Sequence, residues 1–208
     1  MDLILDGNHA ALPLIQHLES HLGPIKEGWR RDENGLELPI QVALFDQSPS
    51  PNNVTFTTIG LSNFPLRMDD GRSVHQELVL SAHKEFEDWN VPAGLQRLAM
   101  HLIESGKAVV RGQCLGPLGK LFPRSDIDSL YVAIPVYFPD SFNAVVQPGH
   151  DPIVMAWLVP LLPSEAVWCR ERGWSSLEEE LSRQDPDLLN LQRPPMDLPH
   201  HVTGDRRG

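Results

Sequence analysis

The chain of 208 residues carries 17 basic and 28 acidic residues, for a formal net charge of −11, and 41% of its residues are hydrophobic. This length suits one large globular domain, and the balance of apolar and charged residues argues against wholesale disorder. The negative charge argues against direct binding of nucleic acid, because it would repel phosphates, and it favours encounters with a basic protein.

The sequence lacks the usual signals of a membrane, secreted or metal-binding protein. No apolar run approaches the ~20 residues that cross a bilayer, and the acidic start of the chain is not a secretory signal. Cys114 and Cys169 form no paired-cysteine motif, and the nine histidines show no metal-ligand spacing. We therefore expect a cytoplasmic protein without a metal or cofactor.

The N-terminal half of the chain passes from a helix to strands. Apolar residues at helical spacing predict a helix over residues 11–22, with Asn8 as its N-cap. Alternating or β-branched patterns then predict three strands, over residues 36–45, 54–59 and 75–81. The first of these should place one face on a core, and Pro39 marks either an edge strand or a strand start.

The C-terminal half begins with the clearest periodicity of the chain. It predicts a helix over residues 95–103, whose apolar stripe we assign to the core rather than to a partner groove. Two central strands and two short helices come next, over residues 130–138, 153–162, 164–172 and 175–183. Ser164 is the predicted N-cap of the first short helix, and a capping box opens the second at Ser175. We predict a single domain over residues 1–193 and a flexible tail over residues 194–208.

One segment approaches the Gly-x-Ser-x-Gly turn that presents a nucleophilic serine in hydrolases. Ser62 follows Gly60 at the end of a strand, but Phe64 replaces the second glycine and Pro65 argues against an immediate helix. The preferred interpretation is a turn in which Ser62 and Asn63 satisfy backbone groups. A hydrolase that uses Ser62 is the enzyme alternative.

Two glutamates flank apolar segments, and in principle they could act as a general acid and base. They are Glu77 and Glu165. The simpler interpretation places Glu77 on a half-exposed strand and Glu165 at the positive N-terminus of its helix.

Aromatic and acidic residues near predicted loops are candidates for contact with a protein partner. Trp89 and Trp174 lie beside charged or loop residues, whereas Trp157 lies in an apolar strand and is assigned to the core. An acidic cluster adjoins Trp89 and consists of Glu85, Glu87 and Asp88. Its charge would speed association with a basic partner.

Four segments, read in order, match the pattern of one known family. Residues 56–64 read Phe-Thr-Thr-Ile-Gly-Leu-Ser-Asn-Phe, residues 76–80 read Gln-Glu-Leu-Val-Leu, and residues 92–109 open with Pro-Ala-Gly-Leu-Gln-Arg-Leu-Ala. Residues 153–181 contain Trp-Leu-Val-Pro. These segments resemble the Suppressor of Fused domain family, bacterial type, over residues 30–193. The matching signature positions are Gly60, Leu61, Ser62, Asn63, Glu77, Trp157, Pro160, Glu165 and Gly173.

The resemblance implies an α/β sandwich with a central, mixed and largely antiparallel sheet flanked by helices. It also implies protein binding without catalysis. Eukaryotic relatives hold a transcription-factor peptide as an added strand, through a Tyr and an Asp that correspond here to His101 and Gln113. Bacterial relatives are associated with polymorphic toxin systems as immunity proteins. We therefore expect an immunity-like protein that binds a basic toxin domain, or alternatively a regulatory or scaffold adaptor.

Overall fold

The computed structural model describes residues 11–199 of the chain. Within them the chain forms a nine-stranded sheet and four α-helices. The helices are α1 (Ala11–Leu22), α2 (Val91–Ser105), α3 (Pro163–Arg172) and α4 (Trp174–Gln184). The strands are β1 (Ile25–Arg31), β2 (Glu37–Asp46), β3 (Asn53–Ile59), β4 (Leu66–Arg67), β5 (Ser73–His83), β6 (Cys114–Leu115), β7 (Ser129–Ala133), β8 (Ala144–Val145) and β9 (Ile153–Leu161).

The strands lie in the spatial order β1-β2-β3-β5-β9-β7-β6, with the short β4 paired to β5 and the short β8 paired to β9. Each named pair is antiparallel except β5 with β9, which is parallel. The predicted α/β sandwich with a mixed, largely antiparallel sheet is confirmed. The strongly patterned segments that form α1, α2, β3, β5 and β9 lie where the sequence predicts them.

Helices cover both faces of the sheet, so that each face has a core of its own. On one face α2 buries Leu95, Ala99 and Leu102 in the cluster that includes Leu44. On the other face α1, α3 and α4 pack in the cluster that includes Phe45. The sheet is therefore the middle layer of three.

Strand β2 differs from its prediction because both of its faces are buried. Leu44 and Phe45 point to opposite faces, and neither is exposed to solvent. Pro39 lies near the start of β2, and β1 lies outside β2, so the edge-strand alternative is wrong. The edge strand β1 was not predicted, because its sequence Ile-Lys-Glu-Gly-Trp-Arg-Arg has no apolar alternation.

Strand β7 is shorter than predicted. It ends at Ala133, whereas the apolar pattern predicts a strand to residue 138. Pro135 has no amide hydrogen with which to continue a ladder, and the chain leaves the sheet there. The exposed side chain of Val136 lies in this excursion.

The two C-terminal helices begin earlier than predicted. Leu162 is the N-cap of α3, so Ser164 lies inside the helix and is not its cap. Gly173 is the N-cap of α4, and Ser175 does not open a capping box. Glu178, which would have completed that box, accepts a hydrogen bond from the hydroxyl of Tyr131 at 2.7 Å.

The described part of the predicted C-terminal tail packs against the body of the protein. Arg193 and Met196 are buried. The amide of Asp197 donates to Oε1 of Gln184 at 2.8 Å. Residues 194–199 therefore contact the body of the protein through Met196 and Asp197, and the flexibility of the tail stays a prediction. Residues 200–208 lie outside the described residues, as does the predicted N-cap Asn8.

None of the helices within residues 11–199 is long and apolar enough to cross a bilayer. In the same part of the chain, no three His, Cys, Asp or Glu side chains are arranged to hold a metal ion.

Candidate functional site

A groove of about 580 Å³ lies between the edge strand β1, the turn after it and the start of α2. We call it the acidic groove. Its carboxylates are Glu27, Asp32, Glu33, Glu87 and Asp88. Arg31 is the one guanidinium that lines it, so negative charge dominates the surface.

Hydrogen bonds from α2 hold the walls of the acidic groove together. The buried amide of Gln96 donates to the carbonyl oxygens of Trp29 at 3.1 Å and Arg31 at 3.2 Å. Asn90, just before α2, donates to Oε1 of Glu33 at 2.8 Å. These contacts fix β1 against α2, and they bring carboxylates from distant parts of the chain to one place.

One carboxylate of the acidic groove is already paired. Lys26 forms an ion pair with Glu87, and that hydrogen bond is the main reason why the pKa of Lys26 is raised. Lys26 also lies 3.8 Å from Asp46, which binds Lys84 at 2.8 Å. The exposed carboxylates that keep the groove acidic are Glu27, Glu33 and Asp88.

A second groove of about 330 Å³ continues the first along α2. The two share Asp32, Glu33, Ala93 and Gln96 in their linings. The second groove extends to His101 and Glu104 on the exposed side of α2. His101 therefore lies beside the continuation of the acidic groove rather than in the acidic groove itself.

The structure brings together three of the predicted partner-binding residues. Glu87 and Asp88 line the acidic groove, and His101 lines its continuation. Their contact with a partner stays a prediction. Glu27, Asp32 and Glu33 were missed, because only the packing of β1 against α2 places them beside residues 87 and 88.

The other predicted partner residues lie outside the grooves. Glu85 is exposed on the short 3-10 turn before α2, and Trp89 packs edge-on against Phe86 at 4.7 Å between ring centroids. Gln113 bonds through its main chain to Val132 of β7, near the far edge of the sheet. None of these three residues lines the acidic groove or its continuation, and their contact with a partner stays a prediction.

Trp174 is a separate aromatic surface feature. Its side chain is 42% exposed, and the guanidinium of Arg111 lies 5.0 Å from its ring centroid. The sequence interpretation of Trp174 as an accessible aromatic residue agrees with this exposure, although the ring is already covered on one side by Arg111.

A second polar cluster surrounds the carboxyl group of Glu77 on β5, which is fully buried rather than half-exposed as predicted. Its Oε2 accepts from the hydroxyl of Thr58 at 2.6 Å. Its Oε1 accepts from the amides of Gly60 at 2.9 Å and Ser62 at 3.1 Å, and from the hydroxyl of Ser62 at 2.7 Å. Burial raises the pKa of Glu77 to about 7, and these donors oppose the shift.

Within residues 11–199 the hydroxyl of Ser62 has no histidine partner, in contrast to the serine–histidine pair of the hydrolase turn. The hydroxyl of Ser62 donates to Glu77, and Ser62 is 7% exposed. The nearest histidine contact to this residue is through Nδ1 of His75, which lies 2.6 Å from the carbonyl oxygen of Ser62 rather than from its hydroxyl. Gly60 has φ 104°, a left-handed conformation that favours glycine. The stretch is a strand with a tight, hydrogen-bonded exit.

A third polar cluster joins Glu165 on α3 to the C-terminal segment. Both oxygens of Glu165 accept from Arg193, each at 2.6 Å, and both side chains are buried. The carboxylate also accepts from the amides of Leu162 at 3.0 Å and Met196 at 3.1 Å. As predicted, Glu165 lies in the first turn of α3, but its partner Arg193 was missed.

Three further signature positions also serve the fold. Trp157 is 2% exposed, which confirms its assignment to the core. The carbonyl oxygen of Pro160 accepts from Arg193 at 3.1 Å. Gly173 joins α3 to α4 with φ 86° and ψ 161°, a combination essentially restricted to glycine.

Comparison with known families matches this chain to one of them. The family model described as Suppressor of fused protein (SUFU) matches residues 37–194, which is most of the chain. The chain belongs to the Suppressor of fused family. The match begins at β2 and ends at Arg193 and Pro194, so it includes the clusters around Glu77 and Glu165.

Solved structures of Suppressor of fused proteins share this fold at low sequence identity. A homologue from Neisseria gonorrhoeae has a TM-score of 0.66 at 16% identity, over 91% of this chain and 98% of that one. A crystal structure of the Sufu–Fu complex has a TM-score of 0.65 at 14% identity, over 88% and 90%. Drosophila Suppressor of Fused has a TM-score of 0.64 at 16% identity, over 89% of this chain and 49% of that one. This chain therefore spans about half of the Drosophila protein. No curated protein matches significantly.

Proposed function

We propose that this Suppressor of fused domain is a non-enzymatic, immunity-like protein that acts in the cytoplasm by binding a basic toxin. The acidic groove is the observation that carries the proposal. In it a lysine or arginine of the partner meets several carboxylates, and the backbone behind them is held by Gln96. Occupation of the toxin's basic surface by the groove would block its contact with a substrate.

Charge and family relationship both support a protein partner. The net charge of −11 attracts a basic protein over a distance of about one Debye length and raises its association rate. Among the related structures, Sufu occurs in a complex with Fu. Binding of a protein is therefore a property of a relative with the same fold.

The buried polar clusters support a role without catalysis. The carboxyl group of Glu77 and the hydroxyl of Ser62 bind each other and the turn after β3. Glu165 binds Arg193. Because these groups form hydrogen bonds and an ion pair that stabilise the fold, they are poor candidates for catalytic residues.

A regulatory or scaffold adaptor is the second candidate function. The Sufu–Fu complex favours it, since that relative binds a protein partner named Fu. The two candidates share the binding surface and differ in the consequence of binding. Only the immunity function requires that expression of this chain protects cells from the toxin.

The test uses charge reversal in the acidic groove. Glu27 and Asp88 are exposed, and the structure assigns neither side chain a hydrogen bond, so their replacement by lysine should leave the fold intact. We expect the double variant Glu27→Lys, Asp88→Lys to associate about tenfold more slowly with the protein encoded by an adjacent toxin-like reading frame, at low salt. Stopped-flow or surface plasmon resonance measures that rate, and cell survival measures protection.

The matched control has the same change of net charge at a distance from the groove. Glu171→Lys with Glu179→Lys alters exposed residues of α3 and α4 and should leave the association rate within about twofold of the wild type. Equal slowing by both double variants would remove the groove from the proposal. Binding without protection would favour the adaptor, and a wild-type protein that neither binds nor protects would refute the immunity function.

A further inference from the structure

Two cysteines that are distant in sequence meet between β6 and α3. Sγ of Cys114 lies 3.8 Å from the carbonyl oxygen of Ala166 and 3.7 Å from Nη1 of Arg170, so it rests on the turn of α3 that carries Cys169. Cys114 packs against the apolar cluster that contains Cys169, and each thiol shifts the pKa of the other. Both cysteines are in the reduced form.

The surroundings give the two sulfurs different reactivity. The interaction with the Cys169 thiol, and after it the charge of Arg170, lowers the pKa of Cys114 to about 7, against burial and the charge of Asp128. The interaction with Cys114, together with burial, raises the pKa of Cys169. A thiolate is the nucleophilic form of cysteine, so Cys114 is the reactive sulfur at neutral pH.

Access to solvent also favours Cys114 over Cys169 as the sulfur that reacts first. Cys114 is half-buried on β6, the two-residue strand at one edge of the sheet. Cys169 is 4% exposed and packs in the core on its face of the sheet. An oxidant from solvent therefore reaches Cys114 first.

We propose that Cys114 and Cys169 are a redox site, in which a hydroperoxide oxidises Cys114 and Cys169 then closes an intramolecular disulfide. The Cys114 thiolate attacks one peroxide oxygen, the O–O bond breaks, and with hydrogen peroxide a water leaves after protonation, which leaves a sulfenic acid. The sulfur of Cys169 attacks that sulfenic sulfur, the S–O bond breaks, and a second water carries away the Cys169 proton. The two thiols are oxidised, and the peroxide is reduced to two waters. A thiol reductant reverses the disulfide.

The disulfide would tie the edge strand β6 to α3. This region lies beyond β7 and β9 from the acidic groove in the order of the sheet. The redox site is therefore independent of the proposed binding surface, and the outcome of either test leaves the other open.

The experiment treats the full wild-type chain with hydrogen peroxide, then uses alkylation, intact mass measurement and peptide mapping. We expect both thiols to become resistant to alkylation together, and the intact mass to fall by two hydrogen atoms. Peptide mapping should find a peptide that joins Cys114 to Cys169, and dithiothreitol should restore both thiols. On a non-reducing gel the product should migrate as a single chain, without a disulfide to a second molecule.

Variants separate the steps of this oxidation. Cys169→Ser should accumulate a sulfenic acid at Cys114 that dimedone traps, and Arg170→Gln should react several-fold more slowly than the wild type. Arg183→Gln, on the exposed side of α4, is the control and should react at the wild-type rate. The proposal is overturned if Cys169 stays alkylatable while Cys114 oxidises further or cross-links to a second chain, or if neither thiol reacts in the folded protein.

Discussion

At the scale of single residues, Glu77 organises the stretch by which the family is most readily recognised. One carboxyl group binds the hydroxyl of Thr58, two amides of the turn after β3 and the hydroxyl of Ser62. Without these bonds the turn would leave buried amides unsatisfied, at a cost of about 1–3 kcal/mol for each group. The Gly-Leu-Ser-Asn segment is therefore explained by the backbone geometry that it forms around Glu77.

The pKa of Glu77 predicts a pH dependence of stability. Burial raises this pKa from 4.5 to about 7, so the folded protein holds a proton that the unfolded chain releases between those values. The contribution of Glu77 to stability is therefore present below about pH 4.5 and is lost as pH rises through about 7. The loss is on the order of 3 kcal/mol.

Glu77→Gln tests that dependence, since the amide is neutral at every pH and can donate to Thr58 in place of accepting from it. Relative to the wild type, the free energy of unfolding of the variant should rise between about pH 5 and about pH 8, as measured by urea denaturation. Ser62→Ala removes a hydrogen-bond donor that lowers the pKa of Glu77. The pKa of Glu77 should therefore be higher in this variant, and stability should be lost at a higher pH than in the wild type. A difference between Glu77→Gln and wild type that is constant with pH would contradict the account.

The ion pair between Glu165 and Arg193 makes a second prediction. Arg193→Met leaves the carboxylate of Glu165 buried without its partner and should cost about 3–5 kcal/mol of unfolding free energy in urea. Arg183→Met breaks the exposed pair with Glu180 and should cost less than about 1 kcal/mol. Similar costs for the two variants would show that the buried pair does not anchor the C-terminal segment.

At the scale of elements, long apolar patterns were predictable and short or charged strands were not. The stripe of α2 and the branched run of β9 are long enough to show their period. β4, β6 and β8 contain two residues each, so no alternation can appear. β1 is charged because it is an edge, and its pairing depends on β2 and α2 rather than on its own composition.

The candidate site was predictable only in part for the same physical reason. Glu87 and Asp88 stand out as a local charge cluster, whereas Glu27 joins them only after β1 packs beside α2. Likewise, the burial of Glu77 depends on donors that the fold brings from β3 and the turn after it, and Glu165 binds an arginine 28 positions away. Contacts between distant segments are not visible as a pattern in one sequence.

The contact between Gln96 and β1 predicts how this edge responds to mutation. Gln96→Ala removes both donors to the carbonyls of Trp29 and Arg31, so β1 should open more readily. Amide hydrogen exchange over residues 25–31 should become faster, with a loss of about 1–3 kcal/mol in local opening free energy. Arg97→Ala, at the exposed neighbouring position of α2, should leave this exchange unchanged. Unaltered exchange in Gln96→Ala would mean that β1 is held by β2 alone.

At the scale of the whole molecule, the buried core and the charged surface have different roles. The core maintains the fold, and the acidic groove is the proposed binding surface. The three-layer fold buries most of the family signature residues, with Asn63 and Gly173 as exposed exceptions, and the edge strand β1 with α2 carries the acidic groove on the surface. A surface built in this way can change its carboxylates without disturbing the core, because those carboxylates are exposed or half-buried. Partner choice can therefore vary among proteins that keep the same fold.

Electrostatic attraction also predicts a dependence on salt. If exposed carboxylates steer a basic partner, the association rate should fall by about tenfold or more between low and high ionic strength, while the dissociation rate changes less. Stopped-flow measurements over a salt series provide both rates. An association rate independent of salt would argue against steering by the acidic groove.

Hydrogen-exchange mass spectrometry of this chain, alone and with a basic toxin domain that it binds, tests the central claim most directly. Binding in the acidic groove should protect amides of β1, of the turn before β2 and of residues 87–101, and should leave α4 as it is in the free protein. Protection confined to α4 and the surface around Trp174, with β1 and α2 unchanged, would contradict the account.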